Sequence, residues 1–341
     1  IILLIVDAFC LPTFIDLLDY KINHSFIFWS YRLPKALTAC IVGANLALAG
    51  FILQQMYANH LAGPYIRGIS SGASLAVSIT IIGAHIFPIL NHGLSLSLAG
   101  MIGSMLILSL VLLVSKRFGS GATILLFGVI LGQITGAVQS LLDFLAISND
   151  LKAFTVWGMG SFAKVISWDC AFLICVSLIA IVFAWRLMPA LSIMVLGNDT
   201  ANSLGVKVQQ TQWQLLCITG LLTGISTAYC GPIAFIGMAM PNLARILLPS
   251  IHFKRQLILN CLLGASMAVL SDIIASLPIF SINLPINVCT AILGGPFVLY
   301  VLSTIPLVQF HLQDAAISLA FRPHTILLMR VSIRRINSKT N

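Results

Sequence analysis

The sequence predicts an all-α polytopic membrane protein with about ten transmembrane helices. Three observations carry that prediction. The 341-residue chain is 59% hydrophobic and 8% charged, with mean hydropathy +1.04; a soluble domain carries roughly 25% charged residues and needs them to cover itself in water. The apolar residues fall in runs of ~20, the length that a ~30 Å hydrocarbon core requires. The lysines and arginines divide unevenly between the two sides that alternating spans define. The net charge of +9 therefore reads as a positive-inside signal, because no cluster of basic and aromatic residues marks a nucleic-acid surface.

The opening Ile1–Cys10 is apolar but too short to span. It reads as the tail of a first helix that starts ahead of this numbering, since it lacks the basic stretch and cleavage site of a signal peptide. The first full span, 36–56, is approached through Arg32, Pro34 and Lys35 and carries Gly43, Ala47 and Gly50 on one face. Such a face lets another helix approach closely in lipid, where hydrocarbon tails give helices no hydrophobic reason to associate. Further spans are predicted at 66–84, 94–115, 122–147, 169–188, 212–230, 232–249, 256–277 and 285–309. Ten spans with both termini in the cytoplasm put thirteen basic residues inside, among them Arg67, Lys116, Arg117, Arg186, Lys207, Arg245, Lys254 and Arg255. Five lie outside: Lys21, Arg32, Lys35, Lys152 and Lys164. The transmembrane domain is expected over 1–310. Residues 311–341 form a basic cytoplasmic tail whose apolar stretch, Thr325–Met329, is too short to span, and whose Arg330, Arg334 and Arg335 suit anionic headgroups.

Two interruptions stand out. Leu196–Lys207 is the longest polar cytoplasmic segment and reads as a short helix capped by Asn198 or Asp199 and stopped by Gly205. A loop of this kind docks a partner or is an ordinary surface turn. In Cys230–Arg245, Gly231-Pro232 breaks one helix and Pro241 removes a backbone hydrogen bond from the next. Broken helices at membrane depth are tolerated where protein or a water-filled cavity satisfies the freed groups, so this segment lines something or is a packing kink. The eight cysteines show no CxxC spacing and read as small core residues. The seven histidines show no HExxH or paired-ligand spacing, which argues against a membrane metalloenzyme.

Seven strings in order, spanning nearly the whole chain, resemble the FecCD-type permeases for iron-siderophores, haem and vitamin B12 in type II ABC importers. They are Arg32-Leu-Pro-Lys35 with the Gly43–Gly50 helix, Asn59-His-Leu-Ala62 with Gly68-Ile-Ser-Ser-Gly-Ala73, and Val156-Trp-Gly-Met-Gly-Ser161. Then come Leu196-Gly197 with Ser203-Leu-Gly-Val206, Gly231-Pro-Ile-Ala-Phe-Ile-Gly237, Pro241-Asn-Leu-Ala-Arg245, and Leu284-Pro285 with Thr290–Phe297. The resemblance implies a ten-helix permease subunit in the inner membrane of a bacterium, paired with a second copy or a paralogue around a translocation path. It also implies a cytoplasmic ABC ATPase dimer and a periplasmic or lipoprotein substrate-binding protein as partners. The chain is then not an enzyme, and ATP with its Mg sits on the partner. The absence of a GxxxxGK[ST] phosphate loop agrees, because Gly119-Ser-Gly-Ala122 lacks the lysine that meets phosphate.

The resemblance assigns roles to particular residues. Leu196, Gly197, Asn198, Asp199, Ala201, Leu204 and Gly205 match the loop that couples to the ATPase. Arg32 matches an arginine that docks the binding protein, the alternative being a snorkelling interfacial side chain. A second docking arginine follows an Asp-x-x-Ala string in some members, but here Asp272-Ile-Ile-Ala275 is followed by Ser276. Gly231, Pro232, Gly237, Pro241, Asn242, Arg245, Asn59, Ser70 and Ser71 are candidates for the helix break and the pathway; Asn242 stands where the family usually has histidine. Polar positions such as Ser70, Ser71, Gln54 and Gln133 either line a path for a bulky polar chelate or pair between helices. The cargo expected from family frequency is an iron-siderophore, with vitamin B12 or haem as alternatives. An ion-coupled secondary transporter is the competing class, with Asp143 and Asp272 as carriers if they are not merely solvated helix-end aspartates.

Overall fold

The computed structural model describes residues 28–60, 63, 68–83, 93–118, 121–146, 148–165, 167–248, 252–277 and 284–300. The expected first-helix tail at 1–10, the basic residues Lys21 and Arg67, Leu61–Ala62 and the tail 311–341 lie outside the described residues. Among those described, every regular element is helical. A single wide turn, Phe28–Arg32, leads into α1 (Leu33–Met56), α2 (Ile69–Gly83), α3 (Gly93–Phe118), α4 (Gly121–Leu145) and α5 (Ser148–Gly158). Next come α6 (Ser167–Met194), α7 (Asn198–Ser203), α8 (Val208–Cys230), α9 (Ile236–Leu247) and α10 (Phe253–Ala275), with α11 at Ile286–Tyr300. Two compact units are distinguished, Ile1–Gly295 and Pro296–Asn341.

The polytopic expectation holds: α1 with its leading turn, α4, α6, α8 and α10 are each long and apolar enough to cross a bilayer. α2, the Leu96–Val111 part of α3 and α11 are shorter apolar segments. The short α5 was not expected from the hydrophobic pattern. The predicted 232–249 span differs as well. It is a non-helical stretch over 231–235 followed by the 12-residue α9. Twelve residues rise ~18 Å, well short of the ~30 Å core. The non-helical residues 231–235 precede it, turned by positive φ at Gly231 and Phe235.

α1 is the central helix, buried on all sides over most of its length. Its Leu48, Phe51 and Ile52 form one apolar cluster with Ala184, Met188 and Leu191 of α6, Leu215 and Leu222 of α8, and Leu257 of α10. A helix this apolar all round must be enclosed by protein or lipid, and small residues decide which. Gly43 meets Gly264 of α10 backbone to backbone, so a Cβ on either would overlap the other's carbonyl. Gly50 meets Gly237 of α9 in the same way. The small-residue face predicted from spacing is therefore real but split between two partner helices. A buried polar knot adds specificity: Asn45 Nδ2 donates to Ser177 Oγ (2.7 Å) and Ser226 Oγ (3.3 Å), tying α1 to α6 and α8. Such interhelical bonds contribute roughly 0.6–2 kcal/mol each in membranes.

Candidate functional site

The motif strings pair off in space into four clusters, two at each end of α1. The first lies where α1 begins. Lys35 Nζ sits 2.8 Å from the Asp272 carboxylate of α10 and donates to Ser276 Oγ at 2.8 Å. Asp272 is 2% exposed, so it is a buried ion-pair partner and not the water-accessible helix-end aspartate that the sequence suggested. Ser276, where some members have the second arginine, is likewise engaged by Lys35. Arg32 ends the wide turn immediately before α1, one helical turn from Lys35.

The second cluster is the helix break at the same end. α8 closes with Gly231 N–H on the Thr227 carbonyl (2.9 Å), and Gly231 adopts φ 78°. A Cβ there would strike the Trp157 carbonyl. Breaking the helix frees backbone groups that lipid cannot satisfy. Asn287, at the start of α11, satisfies them: its Nδ2 donates to the Pro232 carbonyl (2.6 Å) and the Gly158 carbonyl (3.1 Å), and its Oδ1 accepts the Ala234 N–H (3.2 Å). Ser161 N–H closes the ring on the Cys230 carbonyl (2.9 Å). Two motif strings, 156–161 and 231–237, thus meet around one amide that follows a third, 284–285. Phe235 carries φ 68°, unusual for a bulky residue, and starts α9. Neither Asn287 nor Phe235 was singled out by the sequence; a lone asparagine in an apolar helix leaves no periodic trace, and a positive φ is invisible at phenylalanine.

The third cluster lies where α1 ends. Arg245 of α9 donates to Gln54 Oε1 and to His60 Nδ1, and its Nε reaches the Pro241 carbonyl (3.2 Å). Asn242 Nδ2 bridges the His60 carbonyl (3.0 Å) and the Met238 carbonyl (2.8 Å), and Gln54 Nε2 also reaches Met238 O (3.1 Å). α9 runs through Pro241 without ending, and Gln54 of α1 holds it through the Met238 carbonyl and Arg245. Asn59 is exposed beside this clamp. Ser70 and Ser71 are elsewhere: Ser70 Oγ faces Thr227 Oγ1 (3.5 Å). Ser71 Oγ accepts from Thr135 Oγ1 (2.7 Å) and donates to the Gly68 carbonyl (2.8 Å). Both serines pair between or within helices.

The fourth cluster is the loop 196–206. α7 starts after Gly197, whose φ of 110° and ψ of 148° suit glycine alone, and no side chain caps it. Asn198 and Asp199 are thus the first residues of the helix rather than its caps. The end follows expectation: Gly205 at φ 82° donates to Asn202 O and Val206 donates to Ala201 O, both at 3.0 Å. That pair of bonds is a Schellman closure. Ala201 is fully buried against Met194 and Val208, with Met56 of α1 packed beside them. Leu196 and Leu204 are 68% and 62% exposed among the polar Asn198, Asp199, Asn202 and Ser203.

Residues 3–304 match the description "FecCD transport family". The chain belongs to that family. It is 36% identical over 278 residues to the vitamin B12 import system permease protein BtuC of Vibrio cholerae, covering 80% of this chain and 82% of the relative. It is 34% identical over 281 residues to the hemin transport system permease protein HmuU of Yersinia pestis, covering 81% and 83%. A solved structure of an inward-facing ABC transporter, assigned to the metal-chelate type, superposes with TM-score 0.77 at 28% identity, covering 89% of this chain and 96% of that one. The FecCD chain is thus a polytopic transport permease of the ABC-importer class, which removes the ion-coupled alternative.

Proposed function

We propose that this FecCD permease carries a bulky metal chelate across the inner membrane of a bacterium, driven by an ATPase docked on the loop 196–206. The observation that carries the docking is the exposure of Leu196, just before α7, and of Leu204, on its Schellman-closed end. Two large apolar side chains projecting from a polar loop form a partner surface, and the buried Ala201 links that surface to the end of α1. The loop end faces the cytoplasm in this reading, as the basic residues require, and both termini lie on that side. ATP and Mg belong to the ATPase. A second permease copy or a paralogue completes the path.

Arg32, at the opposite end, is the docking residue for a substrate-binding protein, where a guanidinium pairs with a carboxylate in a fixed geometry. Among the expected cargoes, iron-siderophore, vitamin B12 and haem, this reading favours a metallo-tetrapyrrole, because the named relatives are permeases of vitamin B12 import and hemin transport systems. Two experiments test this reading. Co-purification with the cognate ATPase should be lost in Leu204→Asp and kept in Leu204→Met. Titration of cobalamin, haem and ferric siderophores against the cognate binding protein should show tight binding of a tetrapyrrole; selective binding of a siderophore would overturn the cargo assignment alone.

A further inference from the structure

α6 and α10 lie side by side and together present a stripe that is cationic at the loop end and apolar below it. Lys254 Nζ sits 5.8 Å from the centre of the Trp185 ring. Arg186 and Arg255 flank the pair and are exposed, as is His252. One and two turns deeper on α10, Ile258 and Leu262 share the face of Lys254 and are 45% and 63% exposed. On α6, Val182 and Leu178 lie under Trp185 on its face and are about equally open. The N-terminus of α10 adds unpaired N–H donors, for no side chain caps it at His252. The carboxylates of these two helices, Asp169 and Asp272, are at their far ends, ~24 Å or more away along the axes.

We propose that this stripe is a binding site for an anionic phospholipid of the leaflet at the loop end. The phosphodiester is held by Lys254, Arg186 and Arg255. An acyl chain lies over Ile258, Leu262 and Val182. Charge complementarity commits the site to an anionic occupant, and the apolar side chains directly beneath the cations commit it to a lipid rather than to an acidic protein. Trp185 sits at the headgroup level, where indole rings are favoured. The preference for anionic over zwitterionic lipid drops by up to about five-fold for each cation removed.

The test uses the full chain in vesicles of phosphatidylcholine containing a fixed fraction of dibrominated phosphatidylglycerol or dibrominated phosphatidylcholine. The signal is the bromine quenching of tryptophan fluorescence that disappears in Trp185→Phe. Brominated phosphatidylglycerol should quench this component several-fold more effectively than brominated phosphatidylcholine. Lys254→Gln combined with Arg186→Gln should bring the two lipids close together, and Lys254→Arg should keep the preference. Lys207→Gln, a cation outside the stripe, should leave it unchanged. Equal quenching by both lipids in the unaltered chain would overturn the site. So would an equal loss in Lys207→Gln, which would reduce the effect to general surface potential. Release of the ATPase by Lys254→Gln with the lipid preference intact would assign the patch to a protein partner instead.

Discussion

Lys35 Nζ and the Asp272 carboxylate, 2.8 Å apart, fasten the start of α1 to the end of α10. Gly43 and Gly264 bring the same two helices into backbone contact two turns deeper. The pair therefore sits at the mouth of a close helix–helix seam, beside the turn that presents Arg32. Breaking it leaves a charge in a place that water reaches on the Lys35 side alone.

Lys35→Met and Asp272→Leu should each lower the stability of the purified chain by about 1–3 kcal/mol. That range is smaller than the 3–5 kcal/mol of a fully buried pair, because Lys35 is 27% exposed and is screened accordingly. Lys35→Met with Asp272→Leu should recover most of the loss, since two apolar partners leave no buried charge. Thermal unfolding of all four forms in one detergent gives the coupling energy; additive losses would show that the pair does not act as a unit.

Asn287→Leu removes both donors and the acceptor that serve Pro232 O, Gly158 O and Ala234 N–H. Pro232 is buried while Gly158 and Ala234 are half-buried, so with a fully buried orphan costing about 1–3 kcal/mol the variant should lose about 2 kcal/mol or more. Asn287→Asp keeps the acceptor for Ala234 but turns a carboxylate toward two carbonyls, so it should be no better than leucine. Hydrogen exchange of the Ala234 amide separates the two: it should speed up in Asn287→Leu and stay protected in Asn287→Asp.

Much of this architecture was legible in the sequence, and what was not has a physical reason. Small residues at Gly43, Ala47 and Gly50 announced a close helix contact, yet spacing defines a face and not its partner, so the division between Gly264 and Gly237 was hidden. Gly231-Pro232 announced the break, but the amide that stabilises it comes from Asn287, 55 residues later. The 232–249 span read as a helix because its apolar content is uniform; hydropathy does not separate irregular from helical residues. Asn198 and Asp199 looked like caps by residue type, while the backbone turns one residue earlier, at Gly197. Ser70 and Ser71 looked equally suited to a path or to helix pairing, since a hydroxyl serves both.

Arg245→Lys should loosen α9 from α1, because a single ammonium cannot reach Gln54 Oε1, His60 Nδ1 and the Pro241 carbonyl together. Amide exchange across Ile236–Leu247 should accelerate by about ten-fold or more, corresponding to at least ~1.4 kcal/mol of local stability. Exchange in the α1–α6–α8 apolar core should be unaffected. Unchanged protection of α9 would mean that Gly50–Gly237 packing alone holds it.

Gly205→Val forces a β-branched residue to φ 82° although a Cβ there meets nothing within 4 Å. The cost is therefore backbone strain, about 1–2 kcal/mol, and should fall on the loop while the helical bundle keeps its unfolding temperature. ATPase co-purification should drop and Gly205→Asn, which tolerates the left-handed region, should restore it in part. A drop of the same size in both variants would indicate that the loop needs glycine for close approach rather than for its turn.

Chelate uptake into proteoliposomes tests the central claim most directly, comparing the chain alone under a proton or sodium gradient with the chain joined to its cognate ATPase, binding protein and ATP. Uptake should require the ATPase and ATP, be insensitive to the ion gradient, and be abolished by Leu204→Asp, which removes an exposed apolar contact without touching the bundle. Uptake by the chain alone under an ion gradient, or full ATP-driven uptake by Leu204→Asp, would contradict coupling through the loop 196–206.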